Sequence, residues 1–507
     1  MRCIALKAIL GALILCLPNV ALHGQTFNVL HAFPNIFPKN HGPVPPDGAM
    51  PNPELILIGS TLYGSASVGG TNGGGTVFSL QTDGTNFGVI HEMDIPDGVE
   101  VESLALGDGQ LYGTTLAVPG QPSLDNGSVF SMDLNSGALT TEHVFHAFPT
   151  DGVGPRGPLV FSGGTVYGTT GTGGTRGVFP GSGIIFALDL ASSNLTVLHA
   201  FSVVSSQASA TNSDGAYPLS GLLLLGDTLY GTAPEGGGNG SGTIFSVNTN
   251  GTTFKVLHTF SANNGVNLDG DEPFPALTSD GNTLYGATDA GGKGGNGTIF
   301  SIGTDGTAFK VLHSFSPVTG SGFTNADGAQ PGRGPGQRLA LSGNTLYGVA
   351  QEGGANGVGT VYSINTDGSA FTVLHHFGSF GSQDPNVTGS TNVDGGFPRA
   401  NLVVSGNTLY GTTPTGGPGG YGTVFSLTIS PAAVVPNLVA SIPTPGSPLS
   451  IEWPDSLTGY VLETTRDLSS SATWQPYTDS LIDTNGYWTA QISIKDAGPL
   501  FFRLHHL

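Results

Sequence analysis

A chain of 507 residues is too long for one ordinary core unless a repeat architecture spreads it out. Its formal net charge of −21, from 35 acids against 14 bases with no basic stripe, excludes nucleic acid and an anionic membrane surface as partners. Gly (82) and Pro (34) would signal disorder in a non-periodic chain, but the glycines here recur at regular offsets, and 38% apolar residues suffice for a core.

Residues 1–24 read as a secretory signal peptide. Arg2 and Lys7 form a positive start, and Ala8 to Leu17 is an apolar stretch ended by Pro18, too short to span a bilayer. Cleavage is expected near Gly24, with Ala21 as the rival. Leu15 before Cys16 is too large for a lipoprotein signal. Both cysteines, Cys3 and Cys16, lie in this leader, so the mature chain is expected to carry neither a disulfide nor thiolate chemistry. No later stretch is long and apolar enough for a transmembrane segment. The expectation is an exported monomer, whether secreted, periplasmic or held at the cell surface.

From residue 25 to 430 three phrases recur in a constant order. LYG or VYG carries Tyr63, Tyr112, Tyr167, Tyr230, Tyr285, Tyr347 and Tyr410. G-[TSI]-[VI]-[FY] carries Phe78, Phe130, Phe186, Phe245, Phe300, Tyr362 and Phe425. V-[LIF]-H-x-[FM] carries His31, His91, His146, His199, His258, His313 and His375. The mean period is about 58 residues, in the range of propellers. Residues 218–260 show how one unit divides. LLLL is a short strand, Gly226-Asp227 a hairpin signal, TLYGTA a second strand, and GTIFSV a third after a Gly-rich loop. Asn250-Gly251 is a second hairpin signal and TFKVLHTF a fourth strand. Four antiparallel strands taken seven times predict an all-β, seven-bladed β-propeller. The first VLHAF, 29–33, precedes the first LYG, and the last GTVF, 422–425, has no VLHxF after it. The N-terminal strand is therefore expected to complete the last blade and close the ring.

These phrases, in this order and in all seven copies, resemble the GloVer (Gloeo/Verruco-type) tandem repeat of exported bacterial proteins, over roughly residues 27–428. The resemblance implies a secreted or surface-associated bacterial protein. It implies no activity and no catalytic residue.

Residues 431–448, PAAVVPNLVASIPTPGSP, read as an extended Pro-rich linker. Residues 449–507 hold all three tryptophans and about five short strands, LSIEW, GYVLETT, ATWQPYT, YWTAQISI and LFFRLHHL, which predict a small β-sandwich-like domain.

Strand periodicity puts Val256, His258 and Phe260 on one face, so the repeated histidine is expected to be packed and hydrogen-bonded rather than catalytic. Asp-Gly recurs between units, at Asp47, Asp97, Asp151, Asp214, Asp269, Asp327 and Asp394. Its expected role is turn formation. As a ring of carboxylates it would suit Ca²⁺, but the EF-hand spacing is absent, so no cofactor or metal is expected. Asp269 and Asp271 form the densest local acid cluster. The loops between blades share one face with the loops joining strands two and three, and carry the length variation at 202–216, 316–335 and 378–396; a site is expected there. Of the scarce bases, Lys39, Arg156, Arg176, Lys293, Arg333, Arg338 and Arg399 fall in loops of that face. Arg156, Arg338 and Arg399 precede innermost strands and are the candidate ligand-binding residues, suited to an anionic or carbohydrate ligand. The partners expected are a carbohydrate or another surface protein. No nucleophilic triad, HExxH, Walker or Rossmann pattern occurs in a supporting context, so no catalytic residue is assigned. The expected function is a non-catalytic binding or surface-interaction module. The alternative is a carbohydrate-active or lactonase-like propeller enzyme using acids at the channel mouth.

Overall fold

The computed structural model describes residues 3–8, 11–16, 25–34, 46–94, 97, 100–116, 126–146, 151–174, 181–205, 210–261, 267–320, 322–333, 337–381, 390–429, 439–441, 449–454, 460–465, 475–477, 481–484, 487–492 and 501–506. Among them there is no helix. Residues 26–428 form one compact unit of seven antiparallel four-stranded sheets in a ring, a seven-bladed β-propeller. Blades 1 to 6 span 49–92, 101–144, 160–200, 223–259, 278–314 and 340–376. Blade 7 joins Val403–Ser405, Thr408–Thr413 and Thr423–Thr428 to Thr26–Ala32, so the N-terminal strand closes the ring.

Each repeated phrase has a packing reason. In blade 4, Gly231 of LYG lies opposite Phe245 of GTIF, and a Cβ on Gly231 would sit 2.5 Å from the Phe245 ring. Glycine is required there because the aromatic ring occupies its side-chain space. Tyr230, Ile244 and Phe260 then meet Leu277, Leu284 and Phe300 of blade 5. Phe245 and Val247 face the other way, against Tyr167, Ile185 and Phe201 of blade 3. A blade is buried on both faces, which is why its strands read as apolar runs rather than alternating ones. Each fully buried phenylalanine contributes roughly 2–3 kcal/mol of transfer free energy.

A second glycine closes the join between blades. Gly297, which opens GTIF in blade 5, has φ +96°, and its Cβ would meet Thr288 O at 2.3 Å and Pro331 Cδ at 2.7 Å. The six counterparts, from Gly75 to Gly422, also have positive φ. Gly297→Ala is expected to destabilise the protein by about 2–4 kcal/mol, combining left-handed strain with a backbone clash. A denaturant midpoint within error of the parent's would contradict this.

Two expectations are corrected. The pairing of strands three and four shifts register in every blade. In blade 4 Phe245 pairs with Val256 and Ile244 with His258, leaving Leu257 as a bulged residue. The extra residue resets the alternation. Val256 and His258 therefore oppose neighbours that point to different faces, and do not share one. In blade 2 the motif is displaced. His143 pairs with Val129, Glu142 is bulged and Phe145 is fully buried, so His143-Val144-Phe145 is the equivalent of His258-Thr259-Phe260. His146, the residue matched by pattern, lies beyond the strand.

The second compact unit comprises residues 1–25 and 429–507. Leu449–Pro454 pairs with Val439–Ser441 and Tyr487–Ile492, and Leu481–Thr484 adds to the latter. Tyr460–Thr465 pairs with Gln475–Pro476 and Phe501–His506 in a three-stranded sheet. Val439–Ser441 is a strand inside the segment expected as a linker, and Leu481–Thr484 is one that the reading did not separate. Cys3–Ala8 pairs antiparallel with Gly11–Cys16.

Candidate functional site

The repeated histidine and the repeated aspartate are partners. Each histidine of an outer strand reaches the Asp-Gly aspartate in the loop leading to the next blade. His91–Asp97 is 2.8 Å, His143–Asp151 3.3 Å, His199–Asp214 3.0 Å, His258–Asp269 3.2 Å, His313–Asp327 3.1 Å, His375–Asp394 2.9 Å and His31–Asp47 3.4 Å. In five pairs the aspartate also accepts from the chain three residues beyond the histidine, as Asp327 does from Ser316 N (3.0 Å) and Oγ (3.1 Å). In five pairs the imidazole stacks on a phenylalanine of the next blade, as His199 does on Phe254 at 3.6 Å and His313 on Phe371 at 3.8 Å. Blades 2 and 3 carry Leu139 and Leu195 at that position. Histidine, aspartate and ring together rivet neighbouring blades. With one rivet per blade boundary, they do not converge on a single ligand.

Sequence reading missed the asparagine in N-x-D-G at 212, 267, 325 and 392. Asn212 donates to Ser202 O and Gly215 O at 2.7 Å each. Its Oδ1 accepts from Gly215 N (2.9 Å) and Gly237 N (2.7 Å). Asn325 and Asn392 repeat this set. The signal was visible as a fourfold asparagine two residues before the aspartate.

Three residues past each aspartate the chain turns left-handed. Met50, Glu100, Gly154, Tyr217, Glu272, Gln330 and Phe397 have φ between 53° and 68°. Each N–H donates to the preceding blade's loop between strands two and three, for example Glu272 N to Ser241 O and Gln330 N to Asn296 O. Six of the seven are not glycine, although glycine would adopt this conformation without strain. The ring thus presents side chains of changing chemistry on a constant backbone, all on the loop face.

The channel opens on the same face. Its cavity of about 630 Å³ is walled by inner-strand residues such as Leu55, Leu104, Leu159, Leu339 and Leu402. Three polar side chains line it at the start of those strands: Glu54, Arg338 and Asn401. Glu54 is 4% exposed and neither carboxylate oxygen has a hydrogen-bond partner; Asn401 Oδ1 and both amide atoms of Gln337 are also buried without one. Burial pushes Glu54 well above the usual carboxylate range, Glu102 adds to the rise, and Arg338 opposes it. Arg338 touches channel solvent but is ringed by the walls, and desolvation pulls its pKa down against the pull of Glu54. Burial also raises Glu102, which Arg156 opposes.

Of the three candidate arginines, Arg338 lines the channel with Glu54 and Arg156 is the counter-charge to Glu102. Arg399 belongs elsewhere. Desolvation and Arg333 lower its pKa while Asp289 raises it. Asp289 sits in the loop between strands two and three of blade 5 and is pushed up to about 7, first by burial and then by Glu272. The expected Asp269–Asp271 cluster divides. Asp269 is tied to His258 and Ser261, while Asp271 adds negative charge beside Asp289 and Glu272. Arg333 Nη1 donates to Gln330 Oε1 (2.7 Å) and Glu352 Oε1 (3.2 Å). Lys39 and Arg176 lie outside the described residues. Among the described residues no three His, Cys, Asp or Glu side chains are grouped to hold a metal ion.

The Gloeobacter/Verrucomicrobia repeat model matches residues 19–212, 202–326 and 269–436. No curated protein sequence matches the chain. Similar solved structures include an oligogalacturonate lyase in complex with manganese, at 13% identity over 80% of this chain and 97% of that one, TM-score 0.47. A computationally designed protein, Ika8, is 14% identical over 76% and 97%, TM-score 0.39. A putative 6-phosphogluconolactonase from Bacteroides uniformis is 15% identical over 65% and 84%, TM-score 0.39. At these identities and scores the likenesses carry no functional argument.

Proposed function

The chain belongs to the Gloeobacter/Verrucomicrobia repeat family, and we propose that this member is an exported, non-catalytic binding propeller. It seats the polar head of a small hydroxyl- or amide-bearing molecule at the channel mouth. The observation that carries this is Glu54, buried against the channel with both oxygens unpartnered, beside Arg338 and Asn401. A buried polar group left unpaired costs about 1–3 kcal/mol, which a ligand hydroxyl would recover. The cavity has the size and apolar wall of a small-molecule site. The leader at 1–24 supports export.

The test is thermal unfolding of the full chain against a panel of sugars, polyols and amides. A ligand at a hundred times its Kd adds about 2.7 kcal/mol of stability, and the melting temperature rises accordingly. Glu54→Gln and Arg338→Ala are expected to abolish the rise. Glu54→Gln should itself fold normally, since burial already favours the neutral acid and the amide has its size. No rise with any member, or a rise unchanged in both variants, overturns the proposal. One observation favours a second reading. Glu54 and Glu102 interact, and burial raises both, so either could serve as the proton-donating acid that glycoside hydrolysis requires. Sugar turnover lost in both Glu54→Gln and Glu102→Gln would replace binding with catalysis.

A further inference from the structure

We propose that the loop face of blades 5 and 6 holds a saccharide subsite, separate from the channel collar, in which Asp289 and Gln351 make the buried polar contacts and Glu272 and Gln330 form the rim. In blades 2, 3, 5 and 6 the carbonyl of the left-handed residue accepts from one residue of that blade's own loop between strands two and three. Asp289 N donates to Glu272 O (3.0 Å) and Gln351 N to Gln330 O (3.3 Å). Leu116 N to Glu100 O and Gly171 N to Gly154 O are the same bond in blades 2 and 3. The same two places can be followed in every blade, although Pro234 and Pro414 in blades 4 and 7 have no N–H to make this bond.

The pairs are Met50/Ser67, Glu100/Leu116, Gly154/Gly171, Tyr217/Pro234, Glu272/Asp289, Gln330/Gln351 and Phe397/Pro414. Only blades 5 and 6 fill both places with carboxyl or amide side chains. The frame does not demand them, because leucine, glycine and proline occupy the same places in other blades. A second, independent observation points to a ligand. Asp289 and Gln351 are 8% and 6% exposed, and Asp289 Oδ1 and Gln351 Oε1 have no hydrogen-bond partner.

The chemistry of the surroundings selects the ligand class. Asp289, pushed up to about 7, is partly protonated near neutral pH, so it can donate as well as accept. The amide of Gln351, at the same place in the next blade, does both. Hydroxyl groups, which also donate and accept, match this set. Around Asp289 stand Asp271, Glu272 and Glu352, with Arg333 and Arg399 as the cations. Carboxylates outnumber guanidinium groups, so an acidic sugar or a phosphate is disfavoured and a neutral or amino sugar preferred. In the ring, Tyr217 of blade 4 and Phe397 of blade 7 flank the polar pairs, half-buried on the left-handed frame. Phe397 packs on Phe380, and Tyr217 offers an apolar ring face of the kind a sugar's C–H face packs against.

The experiment is isothermal titration of the full chain with defined neutral, amino and uronic-acid oligosaccharides, following a glycan array that selects them. Neutral or amino sugars are expected to bind. Asp289→Ala and Gln351→Ala should each weaken binding roughly ten-fold or more, through loss of a buried hydrogen bond. Ser67→Ala, at the equivalent place in blade 1, should leave it unchanged. Should either alanine variant fail to fold, hydrogen exchange on the parent chain decides, with sugar expected to protect 286–292 and 348–354. The subsite is overturned if no neutral or amino sugar binds, if only uronic acids bind, or if binding falls in Glu54→Gln but not in the two alanine variants. The last outcome would leave the channel-mouth reading standing.

Discussion

A chain lacking residues 25–34 should not fold to a stable propeller. The deletion removes Thr26–Ala32, which pairs with Thr423–Thr428 along the whole outer edge of blade 7. It also removes Phe33, fully buried against Phe78 at 5.5 Å in the cluster that joins blade 7 to blade 1. Phe27, which stacks on His375 at 4.0 Å and on Phe425 at 5.0 Å, goes with it. Losing one buried phenylalanine costs about 3–5 kcal/mol and each strand hydrogen bond about 1 kcal/mol. The total is comparable to the whole 5–15 kcal/mol that typically holds a domain together. Circular dichroism and size exclusion of the truncated chain check this. A cooperative melt at the parent temperature would show that the ring is held by something other than this strand.

Asp327→Ala should cost on the order of 3 kcal/mol, more than any surface substitution on the same face. It strands His313 Nε2, Ser316 N and Ser316 Oγ together at the boundary of blades 5 and 6. The same rivet sets an acid limit. Burial works against ionisation of Asp151, Asp269 and Asp327, but the hydrogen bonds from His143, His258 and His313 and from the adjoining chain outweigh it, so each lies below the usual aspartate value. A carboxylate with a depressed native pKa stabilises the fold above its unfolded pKa of 3.8, and that contribution is lost as pH falls through the native value. The wild-type melting temperature should therefore drop steeply below pH 4. Asp327→Ala should drop less steeply, because one such group is already gone. Parallel pH profiles for the two proteins would contradict the rivet.

The repeat made the fold legible. Tyr230, Phe245 and Phe260 recur because each blade presents the same faces to its neighbours, and a period of identical neighbours can be read along the chain. The open end of the pattern, VLHAF first and GTVF last, was enough to predict closure. Blade 2 escaped because VFHAF at 144–148 matches the pattern by letters. Pairing with Val129 and burial of Phe145 instead select His143. The alternation of Val256 and His258 escaped for a related reason. A bulge is a property of two paired strands, and one strand's spacing does not record it.

Of the loop face, the sequence by itself determined where the scarce arginines fall, that Asp-Gly repeats, and that the loops of variable length share one side. Tertiary structure decided which residues meet. Phe27 and His375 are neighbours only because the ring closes, and Glu54 and Arg338 because blades 1 and 6 face one channel. Arg399, grouped by sequence with Arg338, is coupled instead to Arg333 and Asp289. The left-handed ring of Met50, Glu100, Gly154, Tyr217, Glu272, Gln330 and Phe397 left no compositional trace, since its conformation is imposed by a bond from the preceding blade. Local propensity reports what a residue prefers. A closed ring holds it elsewhere when neighbouring contacts outweigh that preference.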